Sequence, residues 1–228
     1  ETALQECPKL GLGVHLVVTS GGPVLPASRL PSLTGGGDLF QTNQLIQLEQ
    51  IDLSELRDEW HAQVGRFVQA TGRTPDHLDS HHHFAFFSES IFRLTLELAS
   101  EYRCAVRSTL PIRRPGETGG LPRQIYEQAD RYVPQLLREY GIRHPDHFEA
   151  TFYNETGTVD HLSGILNGLL EGCTELMCHP GYADDALLGE QGSAYNKPRE
   201  NELATLTDPR ILELLEQRGI KLINYAAL

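Results

Sequence analysis

The chain has 228 residues, 39% of them hydrophobic and 22% charged, a balance that suits one folded core and excludes a disordered or low-complexity protein. Its formal net charge of -12 argues against nucleic acid and anionic membrane surfaces as partners, because both need clustered Lys and Arg, and leaves small neutral or basic substrates. No apolar run approaches the roughly twenty residues of a membrane span and no signal-peptide pattern opens the chain, so a cytoplasmic location is expected.

Glu1-Thr2-Ala3-Leu4 reads as a short helix end without an initiator Met, as if the chain were cut, and runs through Cys7-Pro8 into an apolar strand from Leu10 to Thr19. Gly21, Gly22 and Pro23 end that strand. The loop that follows, with Gly35-Gly36-Gly37-Asp38, reads either as a lid over a strand end or as a surface loop. From Ile51 to Gln69 the apolar residues Leu53, Leu56, Trp60, Val64, Phe67 and Val68 recur at helical spacing, and Gly72 ends the helix. A short His-rich strand comes next, and Ser88 then caps a helix that runs to Tyr102. Cys104-Ala105-Val106 is a short strand, Leu110 to Leu121 a Pro- and Gly-rich connector, and Gln124 to Tyr140 a helix. Strand at Phe148 to Tyr153, helix at Asp160 to Gly172 and strand at Thr174 to Cys178 follow. Helices at Leu203 to Leu206 and Pro209 to Gln217 precede a closing strand at Ile220 to Tyr225.

Strands that alternate with helices predict an α/β fold with parallel strands joined by right-handed crossovers. Between a doubly wound sheet and a closed barrel, this pattern favours an irregular barrel, with residues 1–228 as a single domain. In such folds ligands bind at the C-terminal strand ends, where His15, the segment His77 to His83, Arg107 and His179 are expected. Cys7, Cys104, Cys173 and Cys178 form no CxxC pair, and three of them lie in apolar segments, which implies buried thiols in a reducing compartment.

The most informative stretch is His77-Leu78-Asp79-Ser80-His81-His82-His83. Its four imidazoles and one carboxylate have the composition of a transition-metal site. Strand alternation would place His77, Asp79, His81 and His83 on one face. His15 in Gly13-Val14-His15-Leu16, read alone, is a core histidine; read beside this run it is a second metal ligand, with His81 the first. A metal on two imidazoles and a carboxylate would acidify its water and polarise a carbonyl, which is hydrolytic chemistry. That chemistry also needs a base and an acid. His179, in a rigid turn before Pro180-Gly181, is the expected acid or else a turn-stabilising residue, and Arg107 either orients substrate or forms an ordinary ion pair.

Gly13-Val14-His15-Leu16, the His-rich run and Glu175-Leu176-Met177-Cys178-His179-Pro180-Gly181-Tyr182 together resemble the YdjC-type carbohydrate deacetylases, in the same order. Ser193-Ala194-Tyr195, Arg199-Glu200, Glu202-Leu203 and Leu206-Thr207 resemble the family's C-terminal pattern. The resemblance implies a distorted (β/α) barrel like that of polysaccharide deacetylases. It also implies removal of acetyl groups from N-acetylated sugars such as diacetylchitobiose, with a divalent metal, Mg2+ or Zn2+. By the same resemblance His15 and His81 hold the metal, His179 is the acid or an oxyanion-stabilising group, and Arg107 and Tyr182 line the sugar site. Asp79 reads best as the carboxylate that holds a ligating histidine from behind. The family's opening strand, with an Ala-Asp-Asp-Phe-Gly motif that supplies the third ligand and the base, is not found, so a missing first strand is expected.

Two other classes share these residues. A metal phosphoesterase could use the same ligands, although no glycine-rich phosphate cradle is present, and a non-catalytic sugar-binding or regulatory module would bind without turnover. The expected partner is a small carbohydrate substrate, and a homodimer is one of the oligomeric states the sequence leaves open. The low aromatic content of 7% favours short sugars over polymeric chitin.

Overall fold

The computed structural model describes residues 5–42, 47–109, 118–184 and 195–228. The expected chain opening at residues 1–4, most of the connector (residues 110–117) and Ser193-Ala194 of the C-terminal pattern lie outside the described residues. The chain divides into two compact units, Glu1–His144 with Asn224–Leu228, and Pro145–Ile223.

The first unit is built on a parallel sheet of β1 (Val14–Leu16), β2 (His77–Ser80) and β3 (Ala105–Val106), with β2 in the centre. Register pairs Val14 with Leu78, His15 with Asp79 and Leu16 with Ser80, and Leu78 with Val106. Helices among the described residues accompany it: α1 (Pro31–Thr34), α2 (Leu53–Thr71), α3 (Glu89–Tyr102) and α4 (Arg123–Tyr140). The boundaries of α2 follow from local chemistry. The Asp52 carboxylate accepts the amides of Ser54 at 2.8 Å and Glu55 at 3.4 Å, and Gly72 closes the far end at φ 68°. Its inner face carries Leu56, Trp60 and Val64, all fully buried among Leu16, Leu33, Leu78, Phe84, Phe92 and Leu96.

Polar groups from α2 complete what the short strands leave open. Gln63 donates to the Val17 carbonyl at 2.7 Å and accepts the Val17 amide at 2.9 Å, so a side chain takes the place of a neighbouring strand just beyond β1. The fully buried Glu59 accepts the amides of Val24 and Leu25 at 2.8 and 3.0 Å. The Gly35-Gly36-Gly37-Asp38 turn is bracketed by bonds from Phe40 N to Gly21 O and from Gln41 N to Leu33 O, and so forms a surface turn after α1.

The second unit pairs β4 (His147–Glu149) with β5 (Thr174–Leu176), again in parallel. It adds α5 (Val159–Asn167), α6 (Pro198–Leu206) and α7 (Pro209–Arg218) around Phe152, Leu162, Ile165, Ile211 and Leu215. Thus the α/β class with parallel sheets is as expected. Several strand expectations differ, Phe148–Tyr153 giving way to His147–Glu149 and Thr174–Cys178 ending at Leu176. The first strand shrinks from Leu10–Thr19 to Val14–Leu16, because only these residues find a partner on β2. The closing strand does not form among the described residues. Instead Tyr225–Ala227 is a 3-10 turn, tied to the first unit by Asn224 Nδ2 on Lys9 O at 2.9 Å.

His77 anchors that turn. Its ring stacks on Tyr225 with centroids 4.0 Å apart and bonds Asp76 through Nδ1 at 2.6 Å, while Gly13 leaves it no room on the other side. A methyl group at Gly13 would overlap the imidazole, so Gly13→Ala is expected to cost about 1–3 kcal/mol, read as a lower midpoint in thermal unfolding. The double variant Gly13→Ala/His77→Ala should lose less than the sum of the single losses. At the start of α7, Asp208 accepts the Arg210 amide at 2.9 Å and its guanidinium at 2.8 Å, and these bonds hold its carboxyl near a pKa of about 2. A pKa lowered on folding gives stability that is complete above the ordinary carboxylate range and disappears as pH falls through about 2. Asp208→Ala should therefore lower the unfolding midpoint between pH 5 and 7, and the gap to wild type should close in the most acid buffers.

Candidate functional site

The first site grows from strand register. Because His15 faces Asp79 across the β1–β2 ladder, their side chains leave the same face of the sheet, and Val14 and Leu16 turn inward. His15 Nδ1 meets Asp79 Oδ2 at 2.8 Å. The same oxygen receives Arg107 Nη1 at 2.9 Å, from the residue just after β3. Three adjacent strands thus each contribute one member to a single charged cluster. The Asp79 side chain is only 9% exposed and that of Arg107 12%, whereas His15 is 47% exposed. Burial by itself would raise the Asp79 pKa; the His15 hydrogen bond and the charges of Arg107, His15 and His77 outweigh it, and the carboxyl is held below its usual range. A histidine that gives Nδ1–H to a carboxylate turns its other nitrogen outward, which is how carboxylates prepare histidines for metal binding.

At the end of β2 the chain departs from the expected alternation. Strand geometry stops at Ser80, and His81–Phe86 forms 3-10 turns kinked at His82 (φ 54°) and His83 (φ 56°). Both take the left-handed conformation without being glycine, which costs about 1–3 kcal/mol each. Ser80 Oγ closes the turn by accepting the Ala85 amide at 2.9 Å. As a result the four residues expected on one face separate. His81 comes edge-on to His15 with ring centroids 5.5 Å apart, His83 is buried against Gly120, and His77 lies on Tyr225. The His82 ring lies tilted beside that of His81, with centroids 3.9 Å apart, and its Nδ1 pairs with Thr19 Oγ1 at 3.0 Å. Burial first, and then the charge of His15, lower its pKa, so His82 is neutral at neutral pH.

The His15–His81 pair fits a divalent metal in donor type, since each residue offers an imidazole nitrogen. A catalytic metal takes about three protein ligands. Among the described residues no group of three His, Cys, Asp or Glu side chains has the geometry to hold a metal.

His179 and Tyr182 belong to the second unit. The Met177 amide extends the β4–β5 ladder onto Glu149 O at 2.9 Å, and the chain then turns through His179. The turn is held by one face of α6. The fully buried Glu202 accepts the His179 amide through one oxygen and the Tyr195 hydroxyl through the other. Arg199, one turn earlier, donates Nη1 to His179 O at 3.2 Å and Nε to Tyr195 O at 2.7 Å. Burial first, and then the bond to Glu202, push the Tyr195 phenol up to about 12, so it is a hydroxyl and never a phenolate at physiological pH. Tyr182 stands 76% exposed. The structure therefore brings His15, Asp79, His81 and Arg107 together and sets His179 among Tyr153, Tyr195, Arg199 and Glu202. Of these last, Tyr153 carries no signal in the sequence. Tyr195, Arg199 and Glu202 were visible only as a pattern without a role, and the i, i+3 spacing of Arg199 and Glu202 on one helix face is the clue that was there to use.

Comparison with known proteins agrees with the motifs. The family described as YdjC-like protein matches residues 1–217. The chain is 32% identical over its whole length to a carbohydrate deacetylase of Enterococcus faecalis, covering 81% of that protein. It is 33% identical to a chitooligosaccharide deacetylase of Proteus mirabilis, over 97% of this chain and 79% of the relative. A crystal structure of an Enterococcus faecalis protein named for cellobiose-phosphate cleavage superposes with a TM-score of 0.83 at 29% identity, over 99% of this chain and 80% of that one. A family match that spans nearly the whole chain, joined to relatives above 30% identity, places this protein in the YdjC-like family.

Proposed function

We propose that the protein is a divalent-metal-dependent carbohydrate N-deacetylase that releases acetate from short N-acetylated sugars of the size of diacetylchitobiose. The deacetylase names of the relatives support the reaction class. The observation that carries the reading is the Arg107–Asp79–His15 cluster with His81 edge-on to His15. Its two parallel sheets are proposed to be arcs of a distorted (β/α) barrel, and its free cysteines fit a reducing compartment such as the proposed cytoplasm.

In this reading His15 and His81 hold Mg2+ or Zn2+, and the chemistry that such an ion supplies when bound is polarisation of the acetamido carbonyl and acidification of water. Asp79 does not compete for that role. It fixes the His15 ring through Nδ1, and Arg107 keeps the carboxylate charged in its buried place. His179 is assigned to protonate the departing amine, with Glu202 and Arg199 holding its backbone on either side of the peptide. Arg107 and the exposed Tyr182 are proposed to meet the sugar. A second reading, a phosphoesterase acting on a phosphorylated disaccharide, draws support from the name of the solved relative, and phosphate release assayed beside acetate release separates the two.

Protein stripped with chelator is expected to lose acetate release from diacetylchitobiose and to recover it on addition of Mg2+, Zn2+ or Mn2+. His81→Ala should lose both bound metal and turnover; full metal content in that variant would remove His81 from the ligand set. Asp79→Asn, which keeps the shape but not the charge, should weaken metal binding by about 10–100-fold, measured by titration against a competing chelator. Unchanged affinity would show that His15 does not depend on Asp79.

A further inference from the structure

Beside His179 the second unit carries an aromatic pair that the deacetylase reading does not use. The rings of Tyr153 and Tyr195 are stacked with centroids 4.3 Å apart and planes 18° from parallel. Each meets the His179 ring edge-on, at 5.5 and 5.7 Å. Their surroundings differ. Tyr195 is fixed at both ends, since its hydroxyl donates to Glu202 and accepts the Asn154 amide at 2.8 Å while its carbonyl accepts Arg199 Nε at 2.7 Å. The Arg199 guanidinium also lies over its ring, 5.2 Å from the centroid. Tyr153, in contrast, is 43% exposed.

An exposed aromatic ring is common, but one held in place by backbone strain is not. The Tyr153 amide donates to Thr156 Oγ1 at 3.0 Å, and the next residue, Asn154, takes a left-handed φ of 57°. That conformation is costly for a residue with a side chain, and here it accompanies the Asn154 amide bond to the Tyr195 hydroxyl. The local fold thus holds a solvent-open ring against a rigid one, next to the histidine assigned to protonate the leaving amine. Pyranose rings carry flat C–H faces with hydroxyls at the rim, so they suit an aromatic surface whose surroundings are polar.

We propose that Tyr153, backed by Tyr195, is the platform on which a pyranose ring of the N-acetylated substrate packs beside His179. The proposal rests on the deacetylase reading for the identity of the sugar. A platform touches the ring and not the acetamido carbon, so it holds ground state and transition state equally and acts on KM and Kd, leaving kcat in place.

Two measurements separate the proposal from the reading beneath it. Acetate release from diacetylchitobiose by the wild-type protein tests the deacetylase reading alone, and no acetate with any metal sinks that reading. Calorimetric binding of the same disaccharide tests the platform. Tyr153→Ala is expected to raise Kd and KM about tenfold with kcat within about twofold, and Tyr153→Phe and Tyr153→Trp to stay within about threefold of wild type. Three results would overturn the platform while leaving deacetylation untouched: unchanged Kd in Tyr153→Ala, a loss confined to kcat, or a loss in Tyr153→Phe as large as in Tyr153→Ala. Wild-type protein that shows no binding of the disaccharide overturns it as well.

Discussion

The first unit depends on one buried carboxylate. Asp79 sits on the central strand of the sheet and receives a donor from each neighbour, His15 on β1 and Arg107 after β3, so the charge that prepares the site also ties the three strand ends together. A lone carboxylate in such a place would take up a proton, because burial favours the neutral form. The two donors reverse that preference. Neither donor can be lost without leaving the other groups buried and mismatched, and breaking such pairs is more damaging than never having built them. Strands of only three, four and two residues supply few ladder bonds, which makes this cluster and the Gln63 clasp on Val17 a large share of what fixes their order.

From that constraint the His-rich turn follows. Continued as a strand, the run would have carried His81 and His83 onto the Asp79 face and left His82 among apolar residues. The chain instead bends at once, with two left-handed histidines, and this sends His81 toward His15, His82 toward Thr19 and His83 inward against Gly120. Strain of this kind persists only where surrounding contacts over-determine it. The Ser80 side chain on the Ala85 amide and the burial of Phe84 and Phe86 supply those contacts.

What could be read in the sequence was what is decided locally. Asp52, the Leu56–Trp60–Val64 stripe and Gly72 define α2 within one stretch of chain, and Ser88 does the same for α3. The grouping of His15, Asp79, His81 and Arg107 was legible because all four lie in or just after short strands of one sheet. The alternation through His83 misled, since no glycine marks the left-handed turn, and His77 was drawn from the cluster by Tyr225 near the far end of the chain. Tyr153 was illegible for the same reason. Its ring partners His179 and Tyr195 lie dozens of residues away, and neither spacing nor composition points to it.

The two clusters share a device and use it differently. In each, a buried carboxylate accepts two donors and holds a histidine, yet Asp79 binds a ring nitrogen of His15 whereas Glu202 binds the backbone amide of His179. The first bond sets which nitrogen carries the proton, as a metal ligand requires, because the other must offer a lone pair throughout the reaction. The second sets where the backbone of the residue stands. The two attachments thus differ in what they fix, a ring nitrogen at His15 and a backbone position at His179.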